Sequence, residues 1–157
     1  MVLSNTDAFK CELCAAGAWL EEPFEDIPAS VRRTLKSAGT EYPESARYNT
    51  ERYNGDGISI WVSRPDEGED EDTFAFATGF VVCIQLTGDR YQTWRGLRVG
   101  DSRERAELLY GYLGPDTTEI AAPFTAFPLD VEFDETNHVS KITFNSYMFH
   151  ADASVLK

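Results

Sequence analysis

The sequence predicts an α+β domain, two N-terminal helices packed on a mostly antiparallel sheet, with one further short helix near 102–113. Three observations predict it. Apolar residues recur at helical spacing in the opening quarter of the chain. From Ala46 onward they alternate, with turn residues between the runs. Asp101 followed by Glu104 then fits a capping box, in which each side chain bonds an orphan amide at a helix start. No long linker, low-complexity tract or repeat of 20–50 residues interrupts residues 1–157, so they read as one domain, with 151–157 as a loose tail.

The first helix is expected over 6–21. Phe9, Leu13, Ala16 and Leu20 follow the helical period, Thr6 or Asp7 would cap it, Gly17 weakens it and Pro23 ends it. The second is expected from Pro28 to Ser37, with Asp26 as cap, Pro28 in the first turn and Ile27, Val31 and Leu35 on one face. Arg32, Arg33 and Lys36 are the densest basic cluster in the chain. At the C-terminal half of a helix they complement its dipole and read as a solvated face.

Strands follow. Ala46 to Tyr53, the turn Asn54-Gly55-Asp56-Gly57, and the alternating Ile58, Ile60 and Val62 read as a hairpin. Residues 66–72 are acidic at six of seven positions. Thr73 to Thr87 is apolar over most of its length and is expected to be the central, most buried strand, with Gly79 a bend. Trp94, Leu97 and Val99 would enter the third helix as an extended, half-buried segment. Leu108, Leu109 and Tyr112 would give that helix its apolar face, and Gly114-Pro115 would stop it. An irregular connection over 115–128 leads to a second hairpin: Leu129, Val131 and Phe133, a turn at Asp134 to Asn137, then Val139, Ile142, Phe144, Tyr147 and Phe149.

The balance of 27 acidic against 14 basic residues gives a formal charge of −13. That charge repels phosphate backbones and anionic lipid, so neither nucleic acid nor a membrane is an expected partner. No run approaches the ~20 apolar residues of a membrane span, and the N-terminus lacks a signal-peptide pattern. A cytoplasmic protein is the expectation. Three cysteines make a poor disulfide framework. Cys11-x-x-Cys14 falls inside the expected first helix rather than at a helix start after a strand, where a redox pair belongs. With Cys83, His138 and His150 isolated in sequence, the thiols read as structural, with no metal and no cofactor.

The run Gly96-Leu97-Arg98-Val99-Gly100-Asp101-Ser102, then Glu104, Leu108 and Tyr110-Gly111, precedes a hairpin with a charged turn, LDVEFDETNHVSKITF. These residues resemble the glycine-punctuated helix and paired strands of β-lactamase-inhibitor-like and SmpA/OmlA-like bacterial domains, over roughly 94–144. The resemblance implies a protein-binding module rather than an enzyme. The chain departs from that pattern in lacking a secretion signal or lipobox cysteine.

No nucleophile elbow, Walker loop, dinucleotide fingerprint or paired-histidine motif is present. The order of carboxylates in 66–72 does not match a calcium-binding EF-hand loop. Two classes compete. The first is a non-catalytic acidic binding module, an inhibitor or immunity-type protein that neutralises a basic toxin or enzyme. Its contact residues would be Asp66, Glu67, Glu69, Asp70, Glu71 and Asp72, beside the rings of Trp61, Tyr48 and Tyr53. Charge steering raises association rates by up to ~10³-fold, which suits rapid capture of a harmful partner. The second is a small-ligand carrier or hydrolase using a pocket between the helices and the sheet.

Overall fold

The computed structural model describes residues 14–20, 22–41, 50–63, 79–111, 119–121 and 128–145. Two short strands, β1 (Cys14–Ala15) and β2 (Ala18–Trp19), pair as a small hairpin. A 3-10 turn (Phe24–Asp26) and a one-turn helix, α1 (Ala29–Arg32), come next. Then follow β3 (Lys36–Glu41), β4 (Thr50–Gly55), β5 (Ile58–Ser63) and β6 (Val81–Leu86). Helix α2 (Arg103–Tyr110) precedes β7 (Glu119–Ala121), β8 (Pro128–Phe133) and β9 (Val139–Asn145). The last seven strands form one antiparallel sheet in the order β3-β4-β5-β6-β9-β8-β7.

The fold is therefore mostly β, and the expected pair of N-terminal helices is overturned. Where the first helix was expected, residues 14–19 turn back on themselves through Ala16 (φ 56°) and Gly17 (φ 76°), pairing Ala15 with Ala18 and Cys14 with Trp19. The left-handed pair is the conformation a two-residue hairpin requires. Gly17 is needed there twice over, because a Cβ would lie 2.7 Å from Pro28 Cγ. Residues 6–13 lie outside the described set. The expected second helix shrinks to α1. Ile27 and Val31 are buried as the pattern implied, and Leu35 packs against the core, but Lys36 onward joins the sheet as β3, where β4 satisfies its backbone.

The sheet has two unlike faces. Ile58, Ile60 and Val62 of β5 share one with Ile84 and Leu86 of β6, Ile142 and Phe144 of β9, and Leu129 and Val131 of β8. Ala15, Ala18, Leu20, Ile27, Val31, Leu97 and Ala106 close over it. Each fully buried Ile, Leu or Val contributes roughly 1.5–3 kcal/mol, so this layer dominates stability. The other face carries Ser59 and Trp61, then Cys83 and Gln85, then Thr143 and Asn145, aligned strand by strand. The central position belongs to β6, as the apolar run predicted. The described part of that run begins at Gly79.

Helix α2 starts where capping chemistry placed it, but the cap is Ser102, whose hydroxyl accepts from Arg105 N at 3.1 Å. Asp101 instead accepts from Arg98 N at 2.8 Å and shapes the preceding turn. Gly111 (φ 98°) ends the helix a turn before the expected stop at Gly114. Ala106 is its fully buried residue and Leu109 packs half-buried against the core as expected, but Leu108 is 77% exposed; Tyr112 lies outside the described residues. The lead-in is not extended: Gly96 N donates to Thr93 O, and Thr93 N to Leu97 O, both at 2.9 Å, closing a tight loop that leaves Trp94 half exposed. In the connection 115–128, three residues form the edge strand β7. Among the described residues no helix is long and apolar enough to cross a membrane.

Candidate functional site

The register of the sheet fixes where the acidic run is attached. Asp66, Glu67, Glu69, Asp70, Glu71 and Asp72 lie outside the described residues, as does Tyr48. Their flanks do not. Ser63 N donates to Phe80 O and Gly79 N to Ser63 O, each at 2.9 Å, and the Ser63 hydroxyl accepts from Phe80 N at 3.2 Å. The connection 64–78 thus leaves from and returns to two central strands at one end of the sheet. Pairing of Glu41 with Thr50, and of Thr50 with Ser63, puts the start and finish of the Tyr48-bearing connection at that same end. The opposite end carries the turn at Asp56-Gly57 and the turn at Asp134–His138.

The two described aromatic candidates are packed into the sheet. Trp61 is 8% exposed, on the polar face, with the Arg52 guanidinium 4.8 Å above its ring. Tyr53 lies on the opposite face, half-buried and stacked on Phe24 with ring centroids 4.5 Å apart at 24°. The structure therefore does not bring these rings together on one surface. Alternation along β4 and β5 separates them, since Tyr53 pairs with Ile60 and Arg52 with Trp61.

Two clefts were not anticipated from sequence. One, of about 350 Å³, is walled by Phe24, Ala29, Arg32, Arg33, Leu35 and Tyr53. Its basic residues are conspicuous in sequence, where they belong to the C-terminal half of the helix expected from Pro28 to Ser37. The other, of about 290 Å³, is walled by Cys14, Ala15, Ala16, Trp19, Gln92, Thr93 and Trp94. It exists because the β1–β2 hairpin meets the Thr93–Leu97 loop, a juxtaposition no local pattern announces. Among the described residues neither cleft has a carboxylate or imidazole in its walls.

Among the described residues, the groups whose proton affinity is clearly perturbed lie elsewhere. Burial pushes the Cys83 thiol far above its ordinary range, with Lys141 and Arg52 only partly offsetting it. Its sulfur donates to Asn145 Oδ1 at 3.3 Å, so it behaves as a core residue rather than a nucleophile. Asp134 is held below the usual carboxylate range, first by the Thr136 hydroxyl and then by the His138 amide. Those bonds, at 2.7 and 3.0 Å, close the β8–β9 turn on the surface. His138 Nδ1 lies 2.9 Å from the Thr136 hydroxyl in the same turn. Cys14 sits half-buried on β1, and Cys11 and His150 lie outside the described residues. Among the described residues no three His, Cys, Asp or Glu side chains gather closely enough to hold a metal ion. In comparison with known proteins, the chain matches no family model, no curated protein and no solved structure.

Proposed function

We propose that this chain is a non-catalytic acidic binding module that captures a basic partner protein, a toxin or enzyme, in the manner of an inhibitor or immunity protein. The observation that carries the reading is the attachment of the acidic run. Ser63, at the end of β5, accepts from Gly79 N just before β6, so the connection that carries the six carboxylates is anchored at both ends beside the middle of the sheet. The internal use of positive charge supports the same reading. Arg52, Arg90, Arg95 and Arg103 each lie over an aromatic ring, and Arg90, Arg103 and Lys141 pair with Asp56, Glu107 and Glu132. The resemblance of residues 94–144 to bacterial inhibitor-like domains points to the same class.

The test is co-purification from native cell extract with the chain and with a variant in which Asp66, Asp70 and Asp72 become Asn and Glu67, Glu69 and Glu71 become Gln, moving the formal charge from −13 to −7. A basic partner should be retained at low salt by the native chain, depleted at high salt, and lost with the variant. A partner held equally by both forms, or none at either salt, ends the proposal.

A further inference from the structure

The cleft beneath α1 sets two arginines side by side in a chain of net charge −13. Arg32 and Arg33 stand over a floor made by the stacked Phe24 and Tyr53 rings and Leu35. Complementing a helix dipole cannot account for the pair, because α1 is a single turn with few aligned peptides. Each arginine is instead fixed by one bond from Nε to the backbone, Arg32 to Ile27 O at 2.9 Å and Arg33 to Ala29 O at 3.2 Å. Such a bond orients the planar guanidinium and spends one of its five N–H donors. The terminal nitrogens form no ion pair among the described residues. Four N–H donors on each guanidinium therefore remain for carboxylate or phosphate oxygens that enter the cleft.

We infer that this cleft binds a small aromatic anion, a carboxylate or phosphate carried on a planar ring, with the ring against Phe24 and Tyr53 and the oxygens on Arg32 and Arg33. The cleft, of about 350 Å³, is wide open on its solvent side, so a ligand would be held by its ring face and its oxygens rather than enclosed. Long-range charge does not produce such binding, since a chain of net charge −13 repels anions generally. Saturable uptake of an anion would therefore report local recognition. The inference stands apart from the capture of a basic protein, which uses the opposite charge and the acidic run; Tyr53, expected from sequence beside that run, lines this cleft instead.

The test titrates phenyl phosphate, inorganic phosphate and phenol separately into the full chain and follows arginine Nε–H and aromatic ring resonances by NMR. Phenyl phosphate should shift Phe24, Arg32, Arg33 and Tyr53 saturably and bind at least about tenfold tighter than either of the other two probes. Loss of a charge-assisted pair weakens binding by roughly ten- to a hundredfold, so the double variant R32Q/R33Q should lose the phenyl phosphate response. Unchanged amide signals from Val81–Leu86 would show that the variant retains its sheet. Tyr53→Leu, or Phe24→Leu if the former unfolds, should bring phenyl phosphate down toward inorganic phosphate. Phenol binding as tightly as phenyl phosphate, a response that survives in R32Q/R33Q, or no saturable shift at these residues would each overturn the inference.

Discussion

The hydroxyl of Thr93 is a single atom on which the approach to α2 depends, and its removal can be costed. Thr93 is 1% exposed, and its Oγ1 accepts from Leu97 N at 3.1 Å and from the Tyr110 hydroxyl at 2.7 Å. Thr93→Val preserves shape and removes the acceptor. Leu97 is fully buried, so its amide is left without a partner, at a cost of roughly 1–3 kcal/mol, and the lost tyrosine bond adds about 1. The expected destabilisation is therefore roughly 2–4 kcal/mol, equivalent to a fall of about 5–15 °C in Tm for a chain of this size. Thr93→Ser keeps the oxygen and gives up one methyl, about 0.8 kcal/mol. Urea unfolding followed by far-UV circular dichroism separates the two variants, provided the denaturant slope is unchanged. If Thr93→Val proves no less stable than Thr93→Ser, the hydroxyl is not the clamp described.

Gly57→Ala should cost at least about 1–2 kcal/mol, because φ is +72° and the new Cβ would sit 3.2 Å from Gly88 Cα; a urea midpoint within error of the native one would contradict this. On α2, Ala106→Leu should destabilise by roughly 1–3 kcal/mol through overpacking, whereas Leu108→Glu should change stability by less than about 0.5, and the reverse order would mean the inward face is misassigned. Cys83 should resist alkylation in native buffer and react once urea unfolds the chain, as peptide mass mapping would reveal; rapid native labelling would refute its burial. Asp134 titrates below its ordinary value when folded, so its stabilisation is present above the unfolded carboxylate pKa, ~3.9, and fades as pH falls through the folded one. The stability difference between native chain and Asp134→Asn should accordingly shrink on acidification below ~4, and a pH-independent difference would exclude the effect.

Local chemistry alone announced the hairpins and the middle of the sheet. Asn54-Gly55-Asp56-Gly57 between alternating runs forces a reversal whatever lies around it, and β4 and β5 turn there. Asp134 to Asn137 does the same for β8 and β9. The described part of the apolar stretch ending at Leu86 is buried over most of its length, and a place between β5 and β9 pairs both of its edges as well. The acidic run and the basic cluster were equally plain, since charge density needs no fold to be seen. Their settings were not. Trp61 and Tyr53 look alike as aromatics on strands, yet alternation sends one to the polar face and the other to a cleft.

What only tertiary structure decided lies mainly before Lys36. A two-residue turn sets residues i and i+3 side by side, which is also the separation of neighbours on a helix face. Ala15 and Ala18 satisfy both geometries, so spacing cannot choose between them. Packing can: Ala15, Ala18 and Leu20 are buried in the sheet's apolar layer, and Gly17 seats against Pro28. The second helix yields for a related reason. One turn gains little from its own hydrogen bonds, whereas Lys36–Glu41 finds a ready partner in β4, a strand that begins nine residues further on. Residue order determined which segments could turn, alternate or carry charge; contacts between segments distant in sequence determined which of two locally acceptable shapes the N-terminal region took.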